Sequence, residues 1–181
     1  MTISKALLLL AFFGGSCQPT KSTAPNASLS PQAASVNTTI EWGQNAGGLR
    51  SRIWADKLRV GKEEPIVIHY AIQNVGDKPL TVWHSGFWPN NRIDVTGPDG
   101  QPAKFLSGGE ARRNAFSPGG AREKNAPLTL QPGTTDDAYE AYNLRDIYAL
   151  SAPGKYLVQY IYQEAKEDPP VKSNSLQLTV E

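Results

Sequence analysis

The chain has 181 residues, 39% of them hydrophobic and 19% charged, enough for one ordinary domain with extensions. Its 16 glycines and 14 prolines favour short elements joined by turns over long helices. A formal net charge of +1 argues against a nucleic-acid partner, which needs clustered Lys and Arg, and the single cysteine excludes an intramolecular disulfide or a site of paired thiolates.

Residues 1–16 have the form of a signal peptide. Lys5 gives a short basic start, and Ala6 to Phe13 are apolar. That run is far shorter than the roughly 20 residues that span a bilayer, and the small residues Gly14, Gly15 and Ser16 suit a cleavage site. Gly15-Ser16-Cys17 resembles the lipobox of bacterial lipoproteins, although Gly14 stands where a leucine-like residue is usual. The resemblance implies cleavage before Cys17, diacylation of its thiol and a membrane anchor of several acyl chains, where one chain alone holds only marginally. A plain secretory signal with an incidental cysteine is the alternative. Gln18 follows, not Asp, which in an enterobacterial-type sorting system implies the outer membrane. Residues 17–38 then form the lipidated Cys and a polar tether, in which Leu29 and Val36 are the only large aliphatics. Such a stretch buries too little apolar area to offset the entropy of ordering it. As a random coil of roughly 20 residues it reaches about 25 Å.

From residue 39 to 181 the pattern changes to short alternating segments. Leu49 to Ala55 sets Leu49, Ser51, Ile53 and Ala55 against Arg50, Arg52 and Trp54. Pro65 to Asn74 puts Ile66, Ile68, Tyr70 and Ile72 on one face, a half-buried strand of an antiparallel sheet. A turn over 74–79 follows, with Gly76 free to take positive φ. Leu80 to His84, Arg92 to Thr96, Ala103 to Leu106, Leu128 to Leu130, Ala138 to Asn143, Tyr156 to Tyr162 and Ser175 to Val180 also read as strands, with turns at 97–100 and 131–133. Leu144 to Leu150 has room for one or two helical turns. The spacing predicts an all-β fold, an immunoglobulin-like antiparallel β-sandwich of seven to nine strands.

Leu150-Ser151-Ala152-Pro153-Gly154-Lys155-Tyr156 resembles the tyrosine corner of immunoglobulin-like and fibronectin type III domains. The resemblance implies that the Tyr156 hydroxyl bonds back to the corner before its strand; a core tyrosine after an ordinary turn is the alternative. Residues Gly61 to Leu80 look like the B-to-C hairpin of bacterial immunoglobulin-like extracytoplasmic domains, including the BsuPI-type proteinase inhibitors. Pro132-Gly133, Tyr148-Ala149-Leu150 and Pro153-Gly154-Lys155-Tyr156 are similar to the N-terminal β-domain of deuterolysin-type metallopeptidases. These are scaffold motifs and argue fold. The peptidase activity does not carry over, because the chain has no HExxH pair of zinc ligands on a helix.

The two histidines, His69 and His84, fall on neighbouring predicted strands without an evident third ligand, so no metal site is expected. Neither a G-x-S-x-G elbow nor a phosphate loop occurs; Ser107-Gly108-Gly109 lacks the strand-to-helix context. Asp136-Asp137 reads as a solvated turn before it reads as a calcium site. No catalytic residue and no cofactor are expected. Two stretches are candidate binding surfaces. Phe87 and Trp88, with Trp83, sit around Gly86 and Pro89, either exposing apolar area or plugging the end of the sandwich. Residues 107–125 form a long Gly-, Arg- and Ala-rich loop whose Arg112 and Arg113 either meet an acidic partner or are simply solvated. The reading that results is a non-enzymatic, membrane-anchored binding or accessory module of the bacterial cell envelope. Cys17 carries the anchor, and Phe87, Trp88, Arg112 and Arg113 contact a protein or glycan. An extracytoplasmic proteinase inhibitor of the BsuPI type is the alternative.

Overall fold

In the computed structural model the strands are built as the period-two pattern dictates: inward residues are buried and outward ones half-buried, as over Leu49–Ala55. The structure describes residues 41–84, 90–115, 118, 126–137 and 141–181. Among these, seven strands of five residues or more carry the fold: β1 Leu49–Ala55, β3 Val67–Asn74, β4 Leu80–His84, β5 Asn91–Thr96, β6 Ala126–Leu130, β9 Gly154–Tyr162 and β11 Leu176–Val180. Four two-residue strands join them: β2 Arg59–Val60, β7 Thr135–Asp136, β8 Tyr142–Asn143 and β10 Val171–Lys172.

One sheet pairs β1 antiparallel with β3, and β7 and β8 both pair with β3. The other is centred on β9, which pairs antiparallel with β5, β10 and β11. Strand β2 adds to β11 in parallel, an exception to the expected antiparallel pattern. Strands β4 and β6 form a separate antiparallel pair. The two large sheets enclose one apolar core that includes Ile53, Ile68, Ile72, Ile93, Val158 and Leu178. Its centre is aromatic: the rings of Tyr70 and Tyr160 lie 4.5 Å apart, and the Tyr160 hydroxyl donates to Asn91 Oδ1 at 2.5 Å. The architecture is an immunoglobulin-like β-sandwich.

The corner before β9 forms as its sequence implied. Tyr156 donates its hydroxyl to Ala152 O at 2.8 Å, four residues upstream. Gly154 adopts φ 138°, and a Cβ there would meet Pro98 at 2.7 Å, so the position is closed to other residues twice over. The Arg145 guanidinium braces the same corner through backbone carbonyls of Leu150 (2.5 Å), Glu64 (2.7 Å) and Gly61 (3.0 Å).

Several expectations are corrected. Gly76 is not in the positive-φ region; its N–H donates to Asn74 Oδ1 and Gly48 O, and a Cβ there would press on Asn74 Oδ1 at 3.3 Å. Strands β3 and β4 follow one another but do not pair, so Gly61 to Leu80 is a crossover and not a hairpin. Residues 103–106 make only an isolated bridge, Phe105 to Tyr148, because the chain there crosses to the 3₁₀ turn Leu144–Asp146 and does not run along a sheet. The 107–125 stretch is not all loop: Gly109–Asn114 forms helix α1. Asp136 does not sit in a solvated turn; it is buried in β7 opposite Ile72. Of the strand read over 138–143, residues 138–140 lie outside the described residues.

Candidate functional site

Arg50, Arg52 and Trp54 are the outward residues of β1, spaced by one pleat each. On β3 the register sets Gln73 opposite Arg50, Ala71 opposite Arg52 and His69 opposite Trp54. Trp42, just before the strand, joins them. The five ring and guanidinium planes form one ladder. The Arg50 guanidinium lies 4.8 Å from the Trp42 ring centre, and that of Arg52 lies 4.7 Å from Trp42 and 4.9 Å from Trp54. Trp54 then stacks on the His69 imidazole at 5.4 Å and 14°. At its far end His69 Nε2 is 2.8 Å from Asp56 Oδ1. At its near end Arg50 Nε donates to Gln73 Oε1 at 2.8 Å, and Gln73 Nε2 donates to Gly133 O at 3.2 Å.

Each Arg–Trp rung is a cation over an indole ring, worth about 0.5–1 kcal/mol where exposed and about 2 where desolvated. The charge balance of the stripe is uneven. Among the described residues neither Arg50 nor Arg52 is in an ion pair, and Arg52 Nε is buried without a hydrogen-bond partner. The stripe's carboxylate, Asp56, is turned to His69.

The edge of β1 beside this stripe is closed. Gly43 N–H donates to Ser51 O at 2.8 Å. Asn174 takes both backbone groups of Ile53, accepting from its N–H at 2.8 Å and donating to its C=O at 3.1 Å. Asn174 reaches across because the pairing to β9 slips by one residue between β10 and β11, from Lys172↔Ile161 to Leu176↔Val158.

Two clefts lie elsewhere. One of about 190 Å³ is lined by Leu49, Leu80, Tyr162, Glu164, Asp168 and Val171. Its acids serve the local chain: Glu164 accepts from the Tyr162 hydroxyl and Asp168 from Ala165 N–H. The other, about 290 Å³, lies between β5 and Phe105 and Tyr148.

Of the residues read as site residues, Cys17, Phe87 and Trp88 lie outside the described residues. Arg112 stands exposed on α1; Arg113 is next to it on the same helix. Neither belongs to the ladder. Among the described residues no group of three or more potential metal ligands gathers. The ladder was missed because Arg50, Arg52 and Trp54 read as an ordinary outward face and Trp42 lies outside the segments read as strands. The usable signal was that the polar face of β1 carries Arg and Trp in place of Ser, Thr or Lys.

The chain matches no known protein family, and no curated protein is similar to it. Among solved structures it is similar to a β-glucosidase from Erythrobacter marinus, at 9% identity and a TM-score of 0.40, over 74% of this chain and 15% of that one. It is also similar to a CARDB domain from Pyrococcus furiosus in complex with di-metal ions, at 13% identity and 0.39, over 84% and 100%. A β-glucosidase from Listeria innocua in complex with isofagomine gives 12% and 0.39, over 73% and 16%. This chain thus spans under a fifth of the length of either glucosidase.

Proposed function

We propose that this protein is a non-catalytic accessory module of the bacterial cell envelope, exported, anchored by lipid on Cys17, and binding a protein or glycan through its sandwich domain. The observation that carries the reading is the ladder: two guanidiniums without a carboxylate partner among the described residues, Arg50 over one indole and Arg52 over two, on an outward sheet face. A purely structural face has no need of paired cations so arranged, and Trp and Arg are the residues most enriched where binding energy concentrates. Phe87, Trp88, Arg112 and Arg113 remain a second proposed contact surface. Nothing in the described residues adds support to the inhibitor reading.

The test is retention of purified chain on envelope material (isolated cell-wall sacculi and detergent-washed membranes), comparing wild type with Arg50→Ala/Arg52→Ala and with Phe87→Ala/Trp88→Ala. Loss of retention in either folded variant supports a binding module and locates its surface. Equal retention of all three, or none, overturns it. Metabolic labelling with a clickable fatty acid checks the anchor: wild type is labelled and Cys17→Ala is not.

A further inference from the structure

We propose that the stripe of Trp42, Arg50, Arg52, Trp54, His69 and Asp56 binds a carboxylate-bearing glycan. Its acid groups lie in the planes of the two guanidiniums, and a sugar hydroxyl meets the Asp56–His69 pair. This rests on the reading of the protein as a binding module and names the ligand class of that module.

A guanidinium carries five N–H donors in its own plane, and contact with an indole ring takes up none of them in a hydrogen bond to oxygen. The ladder therefore fixes Arg50 and Arg52 without consuming their donors. Arg50 Nε is spent on Gln73, a bond that fixes the side chain further, and Arg52 Nε is buried, so the terminal N–H groups are the donors on offer. Donors held in place before the ligand arrives lose little entropy on binding. Planar forks of this kind match carboxylates, which they hold through two parallel N–H···O bonds. Arg50 and Arg52 stand one pleat-repeat apart on β1, about 7 Å between their Cα atoms on ordinary strand geometry. They thus present a row of donors and not a single pocket, which suits a repeating acid.

Three observations narrow the class to a glycan. The edge of β1 is occupied by Gly43 and by Asn174, so an acidic peptide cannot add there as a strand at Ser51 or Ile53. The stripe is mixed in sign: Asp56 is 59% exposed at one end, where it repels an anionic lipid surface but accepts from a hydroxyl. Two cations are also few for membrane docking, at about 1 kcal/mol each. A sugar acid supplies what remains, carboxylates for one end of the stripe and hydroxyls for the other.

The experiment uses the full chain carrying Cys17→Ala, so that no lipid contributes. It measures binding to a defined oligogalacturonate by calorimetry, against its methyl ester, phosphatidylglycerol vesicles and poly-glutamate. Saturable binding to the acid is expected, weakened at least about tenfold by esterification and by Arg52→Ala, since a charge-assisted hydrogen bond contributes about one such factor or more. It is also expected to weaken as salt rises. Arg52→Lys keeps the charge but not the fork, and does not restore binding; it also guards against loss of fold in Arg52→Ala, with circular dichroism confirming both. Equal binding of acid and ester, no binding of the acid, indifference to both Arg52 variants, or preference for vesicles or poly-glutamate overturns the proposal. If oligogalacturonate fails while retention on envelope material still depends on Arg50 and Arg52, the ligand class is wrong and the binding-module reading stands. If both fail, both fall.

Discussion

Asn74, at the end of β3, holds three parts of the chain with one side chain. Its Nδ2 donates to Lys78 O and Leu130 O, both at 2.8 Å, and its Oδ1 accepts from Gly76 N–H at 2.9 Å. The residue is fully buried, so these groups have no water to turn to. Asn74→Leu keeps the bulk but takes the amide donor from two carbonyls and leaves Gly76 N–H only Gly48 O, and a loss of about 2–3 kcal/mol in urea unfolding is expected. Tyr156 is a second such residue. Burial raises the pKa of its phenol above the ordinary value, while the charge of Arg145 works the other way. A pKa raised on folding means that the native state holds its proton more tightly. The corresponding stability is whole below about pH 10 and drains away as pH rises through the native value. Tyr156→Phe is therefore expected to cost about 1 kcal/mol at pH 7 by losing the corner bond. Its unfolding free energy should fall less steeply than wild type above about pH 10, and a pH series of chemical denaturations reads both effects.

Strand β1 is an edge, and edges are where sheets recruit unwanted partners. Here the slip of register between β10 and β11 turns Asn174 toward Ile53, whose N–H and C=O it satisfies across 121 residues of chain. Asn174→Ala removes both bonds and leaves the strand open beside Arg52. A destabilisation of about 1–2 kcal/mol is expected, together with self-association that rises with concentration in sedimentation velocity. A monomeric variant of wild-type stability would show that the amide is incidental. Alternation in the sequence identified β1, β3, β5, β9 and β11 directly, because each buries one face and the apolar residues must fall on it. It could not identify β2, β7 and β10, which are two residues long and exist only through their partners, while β8 falls at the end of the segment read over 138–143. It also misread the 103–106 segment, whose apolar residues pack beside Tyr148 without joining a sheet.

At the scale of the molecule, neighbours in space are mostly far apart in the chain: β2 lies along β11, and Arg59 meets Glu181 over a separation of 122 residues. Such contacts form only after long loops close, so refolding by stopped-flow should be slow, on the millisecond-to-second scale of β-sandwiches. A microsecond phase carrying the full amplitude would contradict this topology. The sequence by itself determined that the domain is a sandwich and where the corner at Tyr156 falls, because both follow from local rules: period-two burial, and a turn of Pro and Gly before a strand. The candidate site was not local in this sense. Trp42, Arg50, Arg52 and Trp54 are close in the chain, but nothing in their order says that His69 and Gln73 will stand opposite them, that Ala71 will face Arg52, or that Asp56 will close the row. Those facts depend on the register between β1 and β3, which the shared core fixes by turning the apolar faces of both strands inward. Only the folded sheet brings guanidiniums and indoles into one stack.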